Sequence, residues 1–208
     1  MENIIEKYNV SRETFNKLKI YEATLKEWQN KFNLVSNKSL EDAWNRHFLD
    51  SIQLIKYIPQ SAKILYDFGS GAGFPGMVLA IVAAEQIPDL KISLIESIKK
   101  KTLYLNTVQE ACNAKVTIIN DRIENLLLPK ADVITSRAMC NLKDLLKYAY
   151  KLSNKKTIMI FPKGKSYQEE LEKAKESWHF EYQIEKNEIC EEGVILIINN
   201  LLPNKGVK

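Results

Sequence analysis

Four of the chain's seven glycines fall inside eight residues, Gly69-Ser70-Gly71-Ala72-Gly73-Phe74-Pro75-Gly76. Residues 62–68 before them read as a short buried strand, and residues 77–84 after them as a buried helix. Glycine is needed where the backbone takes a positive φ or must approach a ligand closely. The helix that follows such a turn presents backbone N–H groups with no intrahelical partner. Glycines alone signal only a tight structural turn. Strand, glycine turn and helix in that order predict main chain shaped to receive a nucleotide-like ligand.

Gly71 to Gly76 also satisfies the dinucleotide spacing Gly-x-Gly-x-x-Gly. Glu96 closes the next strand-like run, 91–95, and stands 27 residues after Gly69. That gap is longer than the roughly 20 residues of the dinucleotide fingerprint. A carboxylate there can still accept hydrogen bonds from both hydroxyls of a ribose.

From residue 62 onward strands and helices alternate. The expected strands are 62–68, 91–95, 115–119, 131–135, 156–161, 179–186 and 193–199. The expected helices are 75–85, 98–112, 141–151 and 166–177. This order predicts an α/β fold with a mostly parallel seven-stranded sheet and helices on both faces. The last two strands lack a helix between them, so an antiparallel C-terminal hairpin is expected. Polar groups at successive strand ends (Asp67 to Gly73, Glu96, Asn120 to Glu124, Ser136-Arg137 and Pro162 to Gly164) converge on the rim where open α/β sheets bind ligands.

Ahead of the sheet, Phe15, Leu18, Leu25, Trp28 and Phe32 form a helical stripe over residues 11–33, with Ser11 as its N-cap. A second helix is expected to start at Ser39, with Asp42 completing a capping box. Its stripe is Trp44, Phe48, Ile52 and Ile55, and Pro59 ends it. The expected division is a helical segment, 1–60, packed on a domain spanning 61–208.

Three scattered cysteines, Cys112, Cys140 and Cys190, suit reduced thiols in the cytoplasm. The two histidines, His47 and His179, form no zinc spacing with them, so no metal is expected. Neither a signal-peptide core nor an apolar run of membrane-spanning length is present. The net charge of +4 permits a nucleic-acid partner without requiring one. Basic clusters occur at Lys99 to Lys101, Lys155-Lys156 and Lys163 to Lys165, each of which alone reads as a solvated face.

Several segments together resemble one family, the small-subunit rRNA guanine-N7 methyltransferases, also called glucose-inhibited division protein B. They are Asp67 to Gly76; Asn33-Leu34 followed by Arg46-His47-Phe48-Leu49-Asp50-Ser51; Leu94 to Ser97 with Lys100-Lys101; Arg122-Ile123-Glu124; and Ser136-Arg137-Ala138 with Lys163-Gly164. The Phe-Pro-Gly extension and the Arg-His-x-x-Asp-Ser helix are more specific than the glycines. The resemblance implies a Rossmann-like class I methyltransferase, S-adenosylmethionine as cofactor, and a guanine in the decoding-region loop of 16S rRNA as acceptor. It implies cofactor contacts at Gly69, Gly71, Phe74 and Glu96, and at Ile123 and Glu124 toward the adenine. Arg137 would lie beside the methionine portion or the incoming base. The expected partner is the small ribosomal subunit, met by a monomer free of membrane and metal.

Guanine N7 already carries a lone pair, so its methylation requires no general base, and none is assigned. Arg137 and Lys163 are the candidates for positioning the base: a guanidinium fork can bond guanine O6 or a phosphate. His47 and Asp50, three apart, read as a structural pair that orients their helix, and Cys140 reads as core. Three other readings remain open at this point: a non-catalytic nucleotide- and RNA-binding assembly factor, a dinucleotide oxidoreductase without its usual Tyr-x-x-x-Lys, and a methyltransferase for another substrate.

Overall fold

The computed structural model describes residues 6–204; most of the N-terminus read as leaderless, and the end of the polar C-terminal tail, lie outside them. Helix α1 (Arg12–Gln29) begins at the expected cap, where the Ser11 hydroxyl accepts the Thr14 N–H at 3.1 Å. Helix α2 is short (Asn37–Glu41), and a helical segment covers residues 44–57. The sheet then builds from β1 (Ile64–Phe68), β2 (Lys91–Ile95), β3 (Val116–Ile119), β4 (Val133–Ser136), β5 (Ile158–Lys163), β6 (Trp178–Lys186) and β7 (Val194–Pro203). Helices α3 (Gly76–Gln86), α4 (Lys99–Cys112), α5 (Leu142–Leu152) and α6 (Tyr167–Lys175) connect the strands.

The strand order is β3-β2-β1-β4-β5-β7-β6. The first five strands are mutually parallel, and β7 enters antiparallel between β5 and β6. The hairpin expected from the sequence is therefore present. The order reverses between β1 and β4, the switch point at which open sheets leave a crevice.

Alternating strand residues feed two separate cores. Leu65, Ile92, Leu94, Val133 and Ile160 pack on α3, α4 and the N-terminal helices. Tyr66, Phe68, Ile134, Met159 and Phe161 pack on α5 and α6. All residues of α3 from Gly76 to Ala83 are buried. A helix lying on a sheet needs only one apolar stripe, so α3 requires a second cover, and the N-terminal segment supplies it. Leu18, Tyr21 and Leu25 of α1 are fully buried. Polar clips fix the edges: Thr14 Oγ1 donates to Glu85 at 2.7 Å, and Gln86 Nε2 donates to the Tyr8 carbonyl at 2.8 Å. No helix among the described residues is long and apolar enough to cross a membrane.

Residues 37–57 depart from the expected single helix. Ser36, not Ser39, is the cap, its hydroxyl accepting the Ser39 N–H at 3.2 Å. After a break at Asp42 the chain runs as a π-helical turn (Trp44–Leu49), one α turn (Asp50–Ile52) and a 3-10 turn (Gln53–Tyr57). The wider turn brings His47, Asp50 and Gln53 inward beside Phe48 and Ile52, and all five are buried. An apolar i, i+4 count cannot anticipate buried polar residues whose partners lie on other elements.

Phe74, from the glycine run, joins the two layers. Its ring stacks on Tyr21 (centroids 5.2 Å apart, interplanar angle 11°) and meets Phe48 edge-on at 5.3 Å. Removing it leaves a cavity where both layers meet. Phe74→Ala is expected to cost about 3–5 kcal/mol and to lower the thermal midpoint by roughly 10 °C, measured by calorimetric melting. A melt like that of wild type would show that the N-terminal layer docks without this ring.

Candidate cofactor and acceptor clefts

The glycine turn leaves β1 with two backbone bonds to the neighbouring strand: the N–H groups of Gly69 and Ser70 both donate to the Ile95 carbonyl, at 2.9 and 3.2 Å. Gly71 lies at φ +58°, and a Cβ there would meet only the Gly69 carbonyl, at 3.7 Å. Its surroundings are open. Gly73, at φ +94°, is a glycine for the opposite reason, since a Cβ would strike the Tyr21 hydroxyl. That hydroxyl donates to the Ala72 carbonyl at 2.5 Å and fixes the turn against α1.

Glu96 stands at the end of β2 and is 5% exposed. Its Oε2 accepts the Gly71 N–H at 2.9 Å and its Oε1 accepts the Ile98 N–H at 2.8 Å. Each oxygen keeps a second lone pair for a ligand hydroxyl. Beside it lies a cleft of about 390 Å³ whose walls include Gly69, Glu96, Lys101, Arg122, Ile123, Glu124 and Tyr148. The 3-10 turn Ile123–Asn125 points its first backbone N–H groups away from any intrahelical partner. These features fit an adenosyl group: a carboxylate for ribose hydroxyls, main-chain groups for a base edge, and open space above Gly71.

A second cleft, of about 630 Å³, is lined by Asp42, Arg46, Asp50, Arg137, Pro162, Lys163 and residues 189–193 among others. Ala138 and Cys140 line both clefts. The loop after β4 is therefore the wall between them. Met139 covers Gly69 so closely that a Cβ there would stand 2.6 Å from Met139 Cγ.

The structure thus brings Gly69, Glu96, Ile123 and Glu124 together in the first cleft and Arg137 and Lys163 in the second. Gly71 reaches the first through Glu96. Phe74 is elsewhere, buried under the N-terminal layer. Arg137 also lies apart from the first cleft's walls and is tied down. Its Nη1 donates to the Arg46 carbonyl at 2.9 Å and to Asp50 Oδ2 at 3.1 Å, and its Nη2 donates to His47 Nδ1 at 2.9 Å. The guanidinium also lies 5.1 Å from the Phe74 ring centroid. Of five N–H donors, two remain for a ligand. Lys163 Nζ is paired with Glu170 Oε2 at 2.8 Å, and that same oxygen accepts the Leu142 N–H at the start of α5.

Two expectations change here. His47 and Asp50 do not pair with each other; both bind Arg137, because the π-helical turn aims them at β4's end. Cys140 is only half-buried, on the dividing loop where it packs against the edge of the second core. The sequence reading also missed Gln53 and Asn187. Asp50 Oδ1 accepts Gln53 Nε2 at 3.1 Å and Asn187 Nδ2 at 2.7 Å, while Asn187 Oδ1 accepts the Ile189 and Cys190 N–H groups at 2.8 Å each. A lone Gln and a lone Asn 134 residues apart carry no sequence signal. Among the described residues, no three His, Cys, Asp or Glu side chains are grouped to hold a metal.

Two buried groups have displaced titrations of opposite sign. An arginine only donates, so His47 Nδ1 is the acceptor and its proton sits on Nε2, which is buried without a partner. Burial, then the charges of Arg137 and Arg46, lower its pKa from 6.5 to about 4. Asp67, fully buried at the end of β1, accepts Thr135 Oγ1 at 2.8 Å on Oδ1, while Oδ2 has no partner. Burial raises its pKa from 3.8 to about 6.

His47 therefore contributes stability above its unfolded pKa of 6.5 that is lost as pH falls toward 4. Asp67 contributes stability below 3.8 that is lost as pH rises through about 6. Between these values the two slopes oppose. Asp67→Asn is expected to gain on wild type by about 2 kcal/mol on going from pH 4 to pH 6.5, and His47→Asn to lose by a similar amount. Urea midpoints at the two pH values check both; equal shifts in the two variants would refute the assignment.

Comparison with known proteins bears on the whole chain. The sequence profile described as "rRNA small subunit methyltransferase G" matches residues 14–194. A ribosomal RNA small subunit methyltransferase G from Orientia tsutsugamushi is 43% identical over 180 residues, covering 86% of this chain and 87% of that one. One of the same name from Rickettsia prowazekii is 39% identical over 192 residues, covering 92% and 97%. Among solved structures, an O-methyltransferase from Bacillus cereus shares the fold at a TM-score of 0.58 and 15% identity, over 86% of this chain and 90% of that one. The ribosomal protein L11 methylase of Lactobacillus delbrueckii shares it at 0.58 and 13%, over 72% and 76%. By its sequence, this chain belongs to the rRNA small subunit methyltransferase G family.

Proposed function

We propose that this protein transfers a methyl group from S-adenosylmethionine to N7 of a guanine in the decoding-region loop of 16S rRNA. The observation that carries this reading is the pair of clefts that meet across one loop at the switch point of the sheet, one fitted to an adenosyl group and the other lined by Arg137 and Lys163. Membership of the family supports the acceptor. The relatives' names specify small-subunit ribosomal RNA, and N7 of guanine rests on the motif resemblance. When bound, the cofactor supplies an electrophilic methyl group.

Glu96, Gly69, Gly71 and the turn at Ile123-Glu124 would hold the cofactor. Guanine N7 needs no proton removed, so the chain's task is orientation and exclusion of water, which can be worth about 7–11 kcal/mol. Arg137 suits the orienting role because three bonds hold its fork before a base arrives and two N–H groups stay free to donate. Lys163 is neutralised by Glu170 and suits a steric and hydrogen-bonding role more than a charge role. The division into an N-terminal segment, 1–60, and a methyltransferase domain, 61–208, suits this reading, with Asp42, Arg46 and Asp50 of the segment completing the acceptor cleft. One chain contributes both clefts, so a monomer suffices, and the proposed substrate places the reaction in the cytoplasm.

Methyl transfer from labelled cofactor to small ribosomal subunits, followed by nucleoside mass spectrometry, tests the reading. Wild type should yield 7-methylguanosine. Arg137→Lys should keep cofactor affinity within about twofold yet lower kcat/KM for RNA roughly ten- to a hundredfold. The single-turnover rate should stay flat with pH around neutrality, because no side chain accepts a proton. Absence of labelled RNA, a fully active Arg137→Lys, or a steep rise with pH would overturn it.

A further inference from the structure

A basic, aromatic flank lies beside the first cleft and reaches its mouth at Arg122. At its centre, Lys100 Nζ lies 5.4 Å from the Phe32 ring centroid, joining the end of α1 to the start of α4. The Phe32 ring, partly exposed, packs against Trp28 at 5.7 Å, and Lys31 Nζ lies 5.3 Å from the Trp28 ring. Lys99 and Lys100 are exposed, as is Arg122 across the cleft mouth. Among the described residues none of the three forms an ion pair, whereas Lys31 pairs with Glu27.

The flank is preformed. Gln29, 9% exposed, accepts the Leu34 and Val35 N–H groups at 2.9 and 3.1 Å and donates to the Val35 carbonyl at 2.8 Å, so the chain turns sharply after Phe32. The Phe32 N–H is bonded to the Trp28 carbonyl at 2.9 Å. Trp28 rests in turn on buried Tyr104 at 5.7 Å. The next residue along α4 from Lys100, Lys101, lines the cofactor cleft. The flank is therefore contiguous with the site.

Cations without an ion-pair partner beside a partly exposed aromatic ring are the chemistry of single-stranded nucleic-acid binding: Lys100 would swing off the Phe32 ring to meet a phosphate, and a base would stack in its place. A duplex would use the cations but leave the ring idle. We propose that Phe32, Lys99 and Lys100, with Arg122 opposite, form a ledge that receives a single-stranded segment of the substrate RNA flanking the target guanine. This rests on RNA being the acceptor and adds where the strand runs.

The test measures affinity for a labelled single-stranded oligoribonucleotide and for a duplex of equal length, across a salt series, with cofactor affinity followed by calorimetry. Lys99→Ala/Lys100→Ala should bind the single strand several-fold more weakly and lose about 1.4 from the slope of log K against log salt. Phe32→Ala should weaken single-strand binding about fivefold or more, and Phe32→Tyr should restore it to within about twofold. Cofactor affinity should not move in any of them, since none of these side chains lines the cofactor cleft. Wild-type salt slope and affinity in the double-lysine variant, whose exposed side chains leave the fold intact, would overturn the ledge. So would Phe32→Ala binding the single strand as wild type does, or duplex and single strand being weakened alike. A wild-type protein that binds cofactor but neither RNA would remove the RNA reading itself, and the ledge with it.

Discussion

One helix with no polar side sets the architecture. Helix α3 begins directly at the glycine turn and is buried from Gly76 to Ala83. The sheet can cover only one side of it. Each fully buried Leu, Val or Ile contributes about 1.5–3 kcal/mol relative to exposure, and much of α3's share exists only because α1 and residues 44–57 close over it. The N-terminal layer consequently shares one hydrophobic core with α3. The elements that complete the second cleft are held by the same packing that holds the glycine turn.

The polar centre of this arrangement is the Arg137 guanidinium, whose partners come from a π-helical turn some ninety residues earlier in the chain. The Arg137 and Asp50 side chains are only 18% and 12% exposed. A buried ion pair of this kind is costly unless its remaining donors and acceptors are satisfied. Here Gln53 and Asn187 fill the other oxygen of Asp50, and Phe74 faces the cation. The desolvation cost is offset by a network spanning the N-terminal layer, β4 and the β6–β7 connection. Such a network is poor as a source of stability and good as a device for fixing one geometry.

What was legible in the sequence followed what is local. The strands start within two residues of their expected positions, because apolar runs bounded by glycine and charged residues are properties of short windows. Ser11 capped its helix for the same reason. The convergence of Gly69, Glu96, Ile123 and Glu124 on one cleft was legible too, since they sit at ends of parallel strands and the topology alone gathers those ends. Residues 37–57 were not, because burial of His47, Asp50 and Gln53 depends on Arg137 and Asn187, which no window around residue 50 contains. Phe74 was assigned to the ligand from its place in the glycine run, yet its ring turns away to Tyr21 and His47. A motif reports that a residue matters and not which way it points.

The loop at residues 137–140 is a partition one chain thick, with Ala138 held at φ +52°. Partitions of this kind have a thermodynamic consequence that walls anchored in a core do not. Whatever a bound strand does to the position of Ala138 and Cys140 redraws the boundary of the neighbouring compartment. The free energy by which one occupant favours or disfavours the other is then the same in both directions. Any such coupling between the two clefts passes through these few residues, and no movement between domains is required to carry it.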